Sequence, residues 1–153
     1  MAQKDLRTLI RLHKWALDDK QRKLGQLLRF EAALYNRKDL IARQYAEEER
    51  VANENQTAAL TFGAYVEWYI AERDRVIQAI EENKLEILKV RDEILDAFQE
   101  LKTFEITQEN RDKREKEELE RKMGAVLDEI GLNLYRRKKS EEAELQKKTA
   151  SSS

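Results

Sequence analysis

An apolar stripe that runs from Val76 to Phe104 limits the fold of this chain more than any other feature. Apolar residues recur along it in alternating steps of three and four, which is the spacing of the a and d positions in a coiled-coil seam. The full row starts further upstream and consists of Phe62, Val66, Tyr69, Arg73, Val76, Ile80, Asn83, Ile87, Val90, Ile94, Ala97, Leu101 and Phe104. A stripe this narrow covers one partner helix and does not surround a compact core.

A weaker row with the same spacing precedes it. The row consists of Ile10, Leu17, Leu24, Leu27, Leu34, Ile41 and Tyr45, with Lys20, Glu31, Lys38 and Glu48 as interruptions. Between the two rows, the stretch NENQTAALTFG contains Asn55 and Gly63, which favour helix ends. A turn there folds the second stripe back onto the first. The rival interpretation is one unbroken helix that dimerises, and it would carry Gly63 and two Asn through its middle.

The composition also favours helices, because the chain has no Pro, no Cys, four Gly and 40% charged residues. It lacks the residues that sheets and tight turns need. The sequence therefore predicts an all-α fold, a long two-helix antiparallel coiled-coil hairpin with a longer C-terminal arm. It forms one coiled-coil domain over residues 1–153. Its predicted parts are helix 1 at about 4–54, a turn at about 55–61, helix 2 at about 62–139 and a frayed tail at about 140–153.

The C-terminal arm carries a second, shorter stripe. Folding at the predicted turn leaves everything after about residue 112 without a partner in the hairpin. Apolar residues nevertheless return there, at Leu119, Met123, Val126, Leu127, Ile130 and Leu134. The stripe indicates either self-association or folding back, or a docking site for another protein. Docking is the prediction.

No signature of an enzyme is present. The sequence has no phosphate-binding loop and no metalloprotease or hydrolase motif. Its single histidine, His13, occupies the first seam, where a polar packing residue is the simpler interpretation. The acidic run Glu47 to Glu49 lacks the Glu-x-x-His pairs of a helical di-metal site. We therefore expect no enzyme, no catalytic residue, no cofactor and no metal.

Charge limits the possible partners. Lys and Arg number 30 against 31 acidic residues, which argues against a protein that coats nucleic acid. The basic run Arg136 to Lys139 is followed at once by Glu141 and Glu142, as expected for cations near a helix C-terminus. No apolar run approaches the length of a membrane span, roughly 18 residues. We expect a soluble cytoplasmic protein with no nucleic-acid or small-molecule ligand, which contacts a membrane only through partners.

Three stretches resemble the FliJ family of the flagellar type III protein export apparatus. They are DDKQRKLGQLL (18–28), QAIEENKLEIL (78–88) and LDEIGLNLYRRKK (127–139). The pattern D-D-x-x-R-x-L-G in the first arm, combined with A-I-E-x-x-x-L in the second, carries the likeness. It covers most of the chain in length and in the placing of the turn.

The resemblance implies a non-enzymatic stalk. Members of the family are antiparallel coiled coils that associate with the hexameric flagellar export ATPase. They also contact the cytoplasmic domain of the export gate membrane protein, and they escort export chaperones. The implied location is the cytoplasmic side of the inner membrane at the flagellar base. The six apolar residues of the C-terminal arm would contact the ATPase ring.

The implied gate contact lies near the turn. Carried over by position, it falls on Ile41, Val76, Ala79 and Asn83, although Ile41 and Val76 also occupy seam positions where they could pack on each other. Four aromatic residues could anchor partners or flank the seam: Trp15, Phe30, Tyr35 and Trp68. Trp68 is the candidate for the gate. The alternative function is a generic structural coiled coil, a spacer or self-associating protein, in which residues 119–134 pair with another copy.

Overall fold

A computed structural model describes residues 5–152, and two helices take up nearly all of them. Helix α1 is Arg7–Glu54 and helix α2 is Gln56–Ser151, and no strand occurs in this described range. The two long helices pack against each other, which confirms the predicted all-α hairpin. Helix α2 has 96 residues against 48 in α1, so the second arm is the longer one. Residue 4, the predicted start of helix 1, lies outside the described range.

The chain divides into two compact units, Met1–Phe104 and Glu105–Ser153, which we call unit 1 and unit 2. Unit 1 holds α1 and the first half of α2, and the two helices run antiparallel. Near the link between them, the rings of Tyr45 and Tyr69 lie 4.4 Å apart. At the other end of the unit, the rings of His13 and Phe104 lie 4.8 Å apart. Residues with higher numbers on α2 therefore contact residues with lower numbers on α1, as in any antiparallel pair.

The seam of unit 1 follows the predicted rows. On α2, every position of the predicted row from Phe62 to Phe104 is buried or half-buried, including the polar members Arg73 and Asn83. On α1, the seven predicted apolar positions are also buried or half-buried, and of the interruptions only Glu48 is exposed. The narrow stripe thus faces a single partner helix, and the partner is the chain's own first arm.

The link between the helices is shorter than the predicted turn. Only Asn55 leaves the helical conformation, with φ −135° and ψ 118°, and α2 begins at Gln56 instead of near residue 62. Asn55 serves both ends: its N–H donates to the Val51 carbonyl at 3.0 Å, and its Oδ1 accepts from the Thr57 N–H at 2.9 Å. Because one residue caps both helices, the chain does not need a longer loop.

Gly63 and the C-terminal tail also differ from the expectation. Gly63 lies inside α2 with negative φ, and nothing within 4 Å would meet a Cβ there. The tail predicted to fray is helical as far as Ser151. Its segment EEAELQKK is rich in residues of high helix propensity, which outweigh the lack of tertiary packing. Residues 105–151 of unit 2 accordingly form one continuous segment of α2.

Candidate interaction surfaces

The best-packed part of the seam contains two residues of the predicted gate patch. Ile41 is fully buried and Val76 is 5% exposed, and they form one cluster with Ile80. Leu34 and Tyr69 pack against this cluster. Ile41 and Val76 therefore pack on each other, as the alternative interpretation of their seam positions holds. Neither side chain is available to a partner while the hairpin is formed.

Asn83 is also buried in the seam. It is 6% exposed, and its Nδ2 donates to the backbone carbonyl of Leu27 on α1 at 3.0 Å. A buried amide with a partner on the opposite helix fixes the register of the two strands. Ala79 is half-buried beside it on α2. Of the five residues predicted to contact the gate, only Trp68 is exposed, at 43%.

Trp68 belongs to an aromatic cluster at the linked end of unit 1. Its ring lies 5.6 Å from that of Tyr65, and Tyr65 lies 6.4 Å from Tyr45 on α1. Tyr45 also contacts Phe62 and Tyr69, at 5.8 and 4.4 Å. The cluster was not predicted as a unit. Its signal in the sequence is the spacing of Phe62, Tyr65 and Tyr69, which places three rings on one side of a helix.

Charged side chains lie at this end of unit 1, and the Arg73 guanidinium lies 5.8 Å from the centre of the Tyr69 ring. Arg50 pairs with Glu47 at 2.6 Å and with Glu54 at 3.1 Å, and all three side chains are exposed. The hydrogen bond and the charge of Arg50 lower the pKa of Glu47 below its ordinary value. Burial, followed by the nearby charge of Glu48, raises the pKa of Tyr65. The Tyr65 phenol therefore stays neutral through the physiological range.

The other three aromatic residues of the prediction lie along α1. Trp15 is 74% exposed, whereas Leu17, about 200° further round the helix, is buried in the seam. Trp15 therefore faces away from α2 and does not flank the seam. Tyr35 behaves differently, because its ring lies 5.8 Å from the Lys84 ammonium on α2 and covers the edge of the seam. Phe30, 51% exposed, is left on the surface.

Unit 2 carries an exposed apolar stripe. All six predicted residues are about half exposed or more: Leu119 59%, Met123 58%, Val126 54%, Leu127 65%, Ile130 49% and Leu134 58%. At about 100° per residue, they fall within a sector about 100° wide, the width of a helix face that packs on a partner. Met123, Val126 and Leu127 line a shallow apolar depression beside Lys122. We call this set of six the C-terminal stripe.

The described residues include no metal-binding cluster and no membrane-spanning helix. Within residues 5–152, no group of three or more His, Asp or Glu residues could hold a metal ion. Neither helix is apolar enough, over the range described, to cross a membrane. What the surface offers is an apolar stripe, an aromatic cluster and charged flanks, which are the elements of protein–protein contact. Compared with protein families, curated proteins and solved structures, the chain gives no match.

Proposed function

We propose that this protein is a non-enzymatic component of the flagellar type III export apparatus, a coiled-coil stalk that associates with the hexameric export ATPase. The observation that carries the proposal is the exposure of the C-terminal stripe. A helix that stays alone in water rarely has six apolar side chains on one face, so such a face indicates a binding surface. The FliJ-like motifs of both arms indicate the export ATPase as the candidate partner of the stripe.

The stripe suits insertion into the central opening of a ring. Exposed charges flank it, among them the ion pair between Glu118 and Lys122 at 3.5 Å. A helix with a narrow apolar face and charged sides makes a few apolar contacts and many weak polar ones. Such contacts can be exchanged between neighbouring subunits without unfolding the helix. The stalk would thereby stimulate the ATPase or couple it to the export gate.

The gate and the chaperones are proposed as the further partners. Because Ile41, Val76 and Asn83 are used by the seam, the gate contact is assigned to Trp68 and the rings beside it. An exposed tryptophan supported by a second aromatic ring is a common anchor at protein interfaces. On this proposal the protein works in the cytoplasm, peripheral to the inner membrane at the flagellar base. It contacts that membrane only through the gate, and it escorts export chaperones.

The test is the ATP hydrolysis rate of the flagellar export ATPase from the same cell, titrated with the full chain. A chain truncated after Asn110 lacks the stripe and should give no stimulation. A finer variant is Ile130→Gln, which should lower stimulation, with Leu132→Gln as its matched control. Leu132 is 50% exposed, like Ile130 at 49%, and lies on the opposite face of the helix from the stripe.

Three results would contradict the proposal. Equal stimulation by the full chain and by the truncated chain would remove the stripe from the mechanism. Absence of any effect of the full chain on the ATPase would leave a structural coiled coil. Equal losses in Ile130→Gln and Leu132→Gln would show that general surface polarity, and not the stripe, sets the stimulation.

A further inference from the structure

The C-terminal stripe has a heptad pattern of its own. Met123 and Ile130 occupy a positions, and Leu119 and Val126 occupy d positions. The g positions beside this seam alternate in sign: Glu115, Lys122, Glu129 and Arg136. The span from 115 to 136 is three heptads, about 33 Å of helix at 1.5 Å per residue. The stripe therefore has the spacing of one strand of a short two-stranded coiled coil, with polar Lys116 and Asn133 at the a and d positions that flank its apolar part.

The alternation of sign selects the direction of the second strand. In an antiparallel pair the g positions of the two helices face each other, and in a parallel pair g faces e. An antiparallel pair that layers Leu119 on the second copy's Ile130 sets Glu115 against Arg136 and Lys122 against Glu129. Each of these contacts occurs twice by symmetry, so all four g positions of both copies have opposite-charge partners.

A parallel pair of two copies loses these contacts. In register, it would set Glu115 against the second copy's Glu120 and Lys122 against Leu127. It would also bring together the basic runs Arg136 to Lys139 of the two copies, with four cations in each. Like charges at facing positions of a coiled coil disfavour the pairing. The antiparallel arrangement is the one that matches charge as well as apolar contact.

We propose that, in the absence of its partner, the protein forms a symmetric antiparallel dimer through residues 115–136 of α2. The dimer covers the six stripe residues of each copy, which the single chain leaves about half exposed. When Lys122 pairs with Glu129 of the second copy, it loses little binding energy from its ion pair with Glu118. That pair is on the surface, with side-chain exposures of 72% and 61%. Gly124 and Gly131 fall at outer b positions and leave the seam to larger side chains.

The dimer does not rest on the proposed function, although both use the same stripe. A copy whose stripe is in the dimer cannot offer it to a ring, so the partner must displace the second copy. The apparent affinity for the partner is then reduced by the fraction of chain held in the dimer. Dimerisation would thus act as a reversible cover for an apolar face that has no other protection in the described structure.

The chain contains no cysteine, so single cysteines report the arrangement without background. The variants are Leu119→Cys and Ile130→Cys, oxidised alone and as an equal mixture. In the antiparallel dimer, position 119 faces 130 and lies about 16 Å along the axis from its own copy, too far for a disulfide. We expect cross-linked dimer in the mixture and little in either variant alone.

Other patterns of cross-linking overturn the proposal. Efficient cross-linking of each variant with itself means a parallel dimer, in which each cysteine faces its own copy. The free protein is a monomer if no sample cross-links and light scattering gives a mass of 18.2 kDa at concentrations up to about 0.5 mM. A dimer mass that persists by light scattering in a chain truncated after residue 114 would place the contact elsewhere.

Charge reversal supplies an independent test. Lys122→Glu replaces two attractive contacts by two repulsive ones, and we expect the dissociation constant of the dimer to rise about tenfold at low salt. Adding Glu129→Lys restores opposite charges and should return the constant to its original value. An unchanged constant in Lys122→Glu, or failure of the double variant to recover, rejects the assigned register.

The ATPase assay separates this proposal from the proposed function. A chain that stays monomeric and still stimulates the ATPase rejects the dimer and leaves the function standing. A chain that forms the predicted dimer but never stimulates the ATPase keeps the dimer and rejects the stalk. If both are correct, stimulation by the full chain should need less protein in Lys122→Glu than in the original chain, because less of it is held as dimer.

Discussion

Units 1 and 2 are built from the same helix α2 and the same kind of apolar stripe, yet they use it in opposite ways. In unit 1 the stripe is buried against α1, with Val90 fully buried and Ile87 4% exposed. In unit 2, Val126 and Ile130 are about half exposed. The residue types are alike, so the difference lies in whether a partner strand is present. Apolar periodicity predicts a contact face, but it does not say which chain supplies the partner.

Shortening one isoleucine in each unit tests this difference in burial most strongly. Ile41→Ala removes buried methyl groups from a fully packed site, and we expect it to lower the free energy of unfolding by about 2–5 kcal/mol. Ile130→Ala shortens a 49% exposed side chain and should change it by less than about 0.5 kcal/mol. Urea unfolding followed by circular dichroism measures both.

The measurement is made at protein concentrations where light scattering shows the monomer, because a dimer would stabilise unit 2 in the original chain. Equal losses in the two variants would mean that the stripe of unit 2 is packed as well as the seam. A small loss in Ile41→Ala would mean that the hairpin is held by something other than its seam.

Trp68 tests whether unit 1 has a binding face outside the seam. We expect Trp68→Ala to weaken binding to the cytoplasmic domain of the export gate at least about tenfold, while helicity is unchanged. Trp15→Ala is the matched control, because Trp15 is 74% exposed at the opposite end of α1. Binding is measured by calorimetry. Lower helicity in Trp68→Ala with unchanged binding would make Trp68 a structural residue.

Asn83 tests how the seam of unit 1 selects its register. Asn83→Ala leaves a small cavity and removes the hydrogen bond to Leu27, so we expect a loss of about 1–2 kcal/mol in the free energy of unfolding. Asn83→Leu fills the same seam position with an apolar side chain and should cost less than the alanine variant. A larger loss in Asn83→Leu than in Asn83→Ala, by urea unfolding, would contradict this account of the site.

The sequence predicts the seam well because burial in a coiled coil follows local spacing. Positions such as Val76, Val90 and Leu101 could be assigned from their three- and four-residue steps alone, and all three are buried. The link was predicted too long, because Gly63 was interpreted as a breaker although Asn55 alone can cap both helices. Single-residue capping geometry depends on backbone angles that composition does not reveal.

The candidate surfaces were only partly predictable. The C-terminal stripe was identified as a set, because its members share one helix face and have no predicted partner. The gate patch was carried over by position, which could not distinguish a seam residue such as Ile41 from a surface residue such as Trp68. That distinction depends on the register of two strands against each other. Register is a tertiary property that a hydrogen bond such as Asn83 to Leu27 sets.

The smallest expected effect concerns acid stability at the linked end of unit 1. Arg50 lowers the pKa of Glu47 below 4.5 in the folded chain, so this carboxylate stabilises the fold above its unfolded pKa. That contribution is lost as pH falls through the lowered folded pKa. Thermal unfolding between pH 7 and about pH 3 should therefore show a smaller acid-induced fall in Tm for Glu47→Gln than for the original chain.

The matched variant is Arg50→Gln, which removes the cation that lies 2.6 Å from Glu47. Without this cation the cause of the lowered pKa of Glu47 is gone, so Arg50→Gln should also show a smaller acid-induced fall in Tm. The Glu47 side chain is exposed, so both effects are small and should shrink further in high salt. An acid-induced fall in Tm that is unchanged in both variants would mean that this ion pair does not contribute to the stability of unit 1.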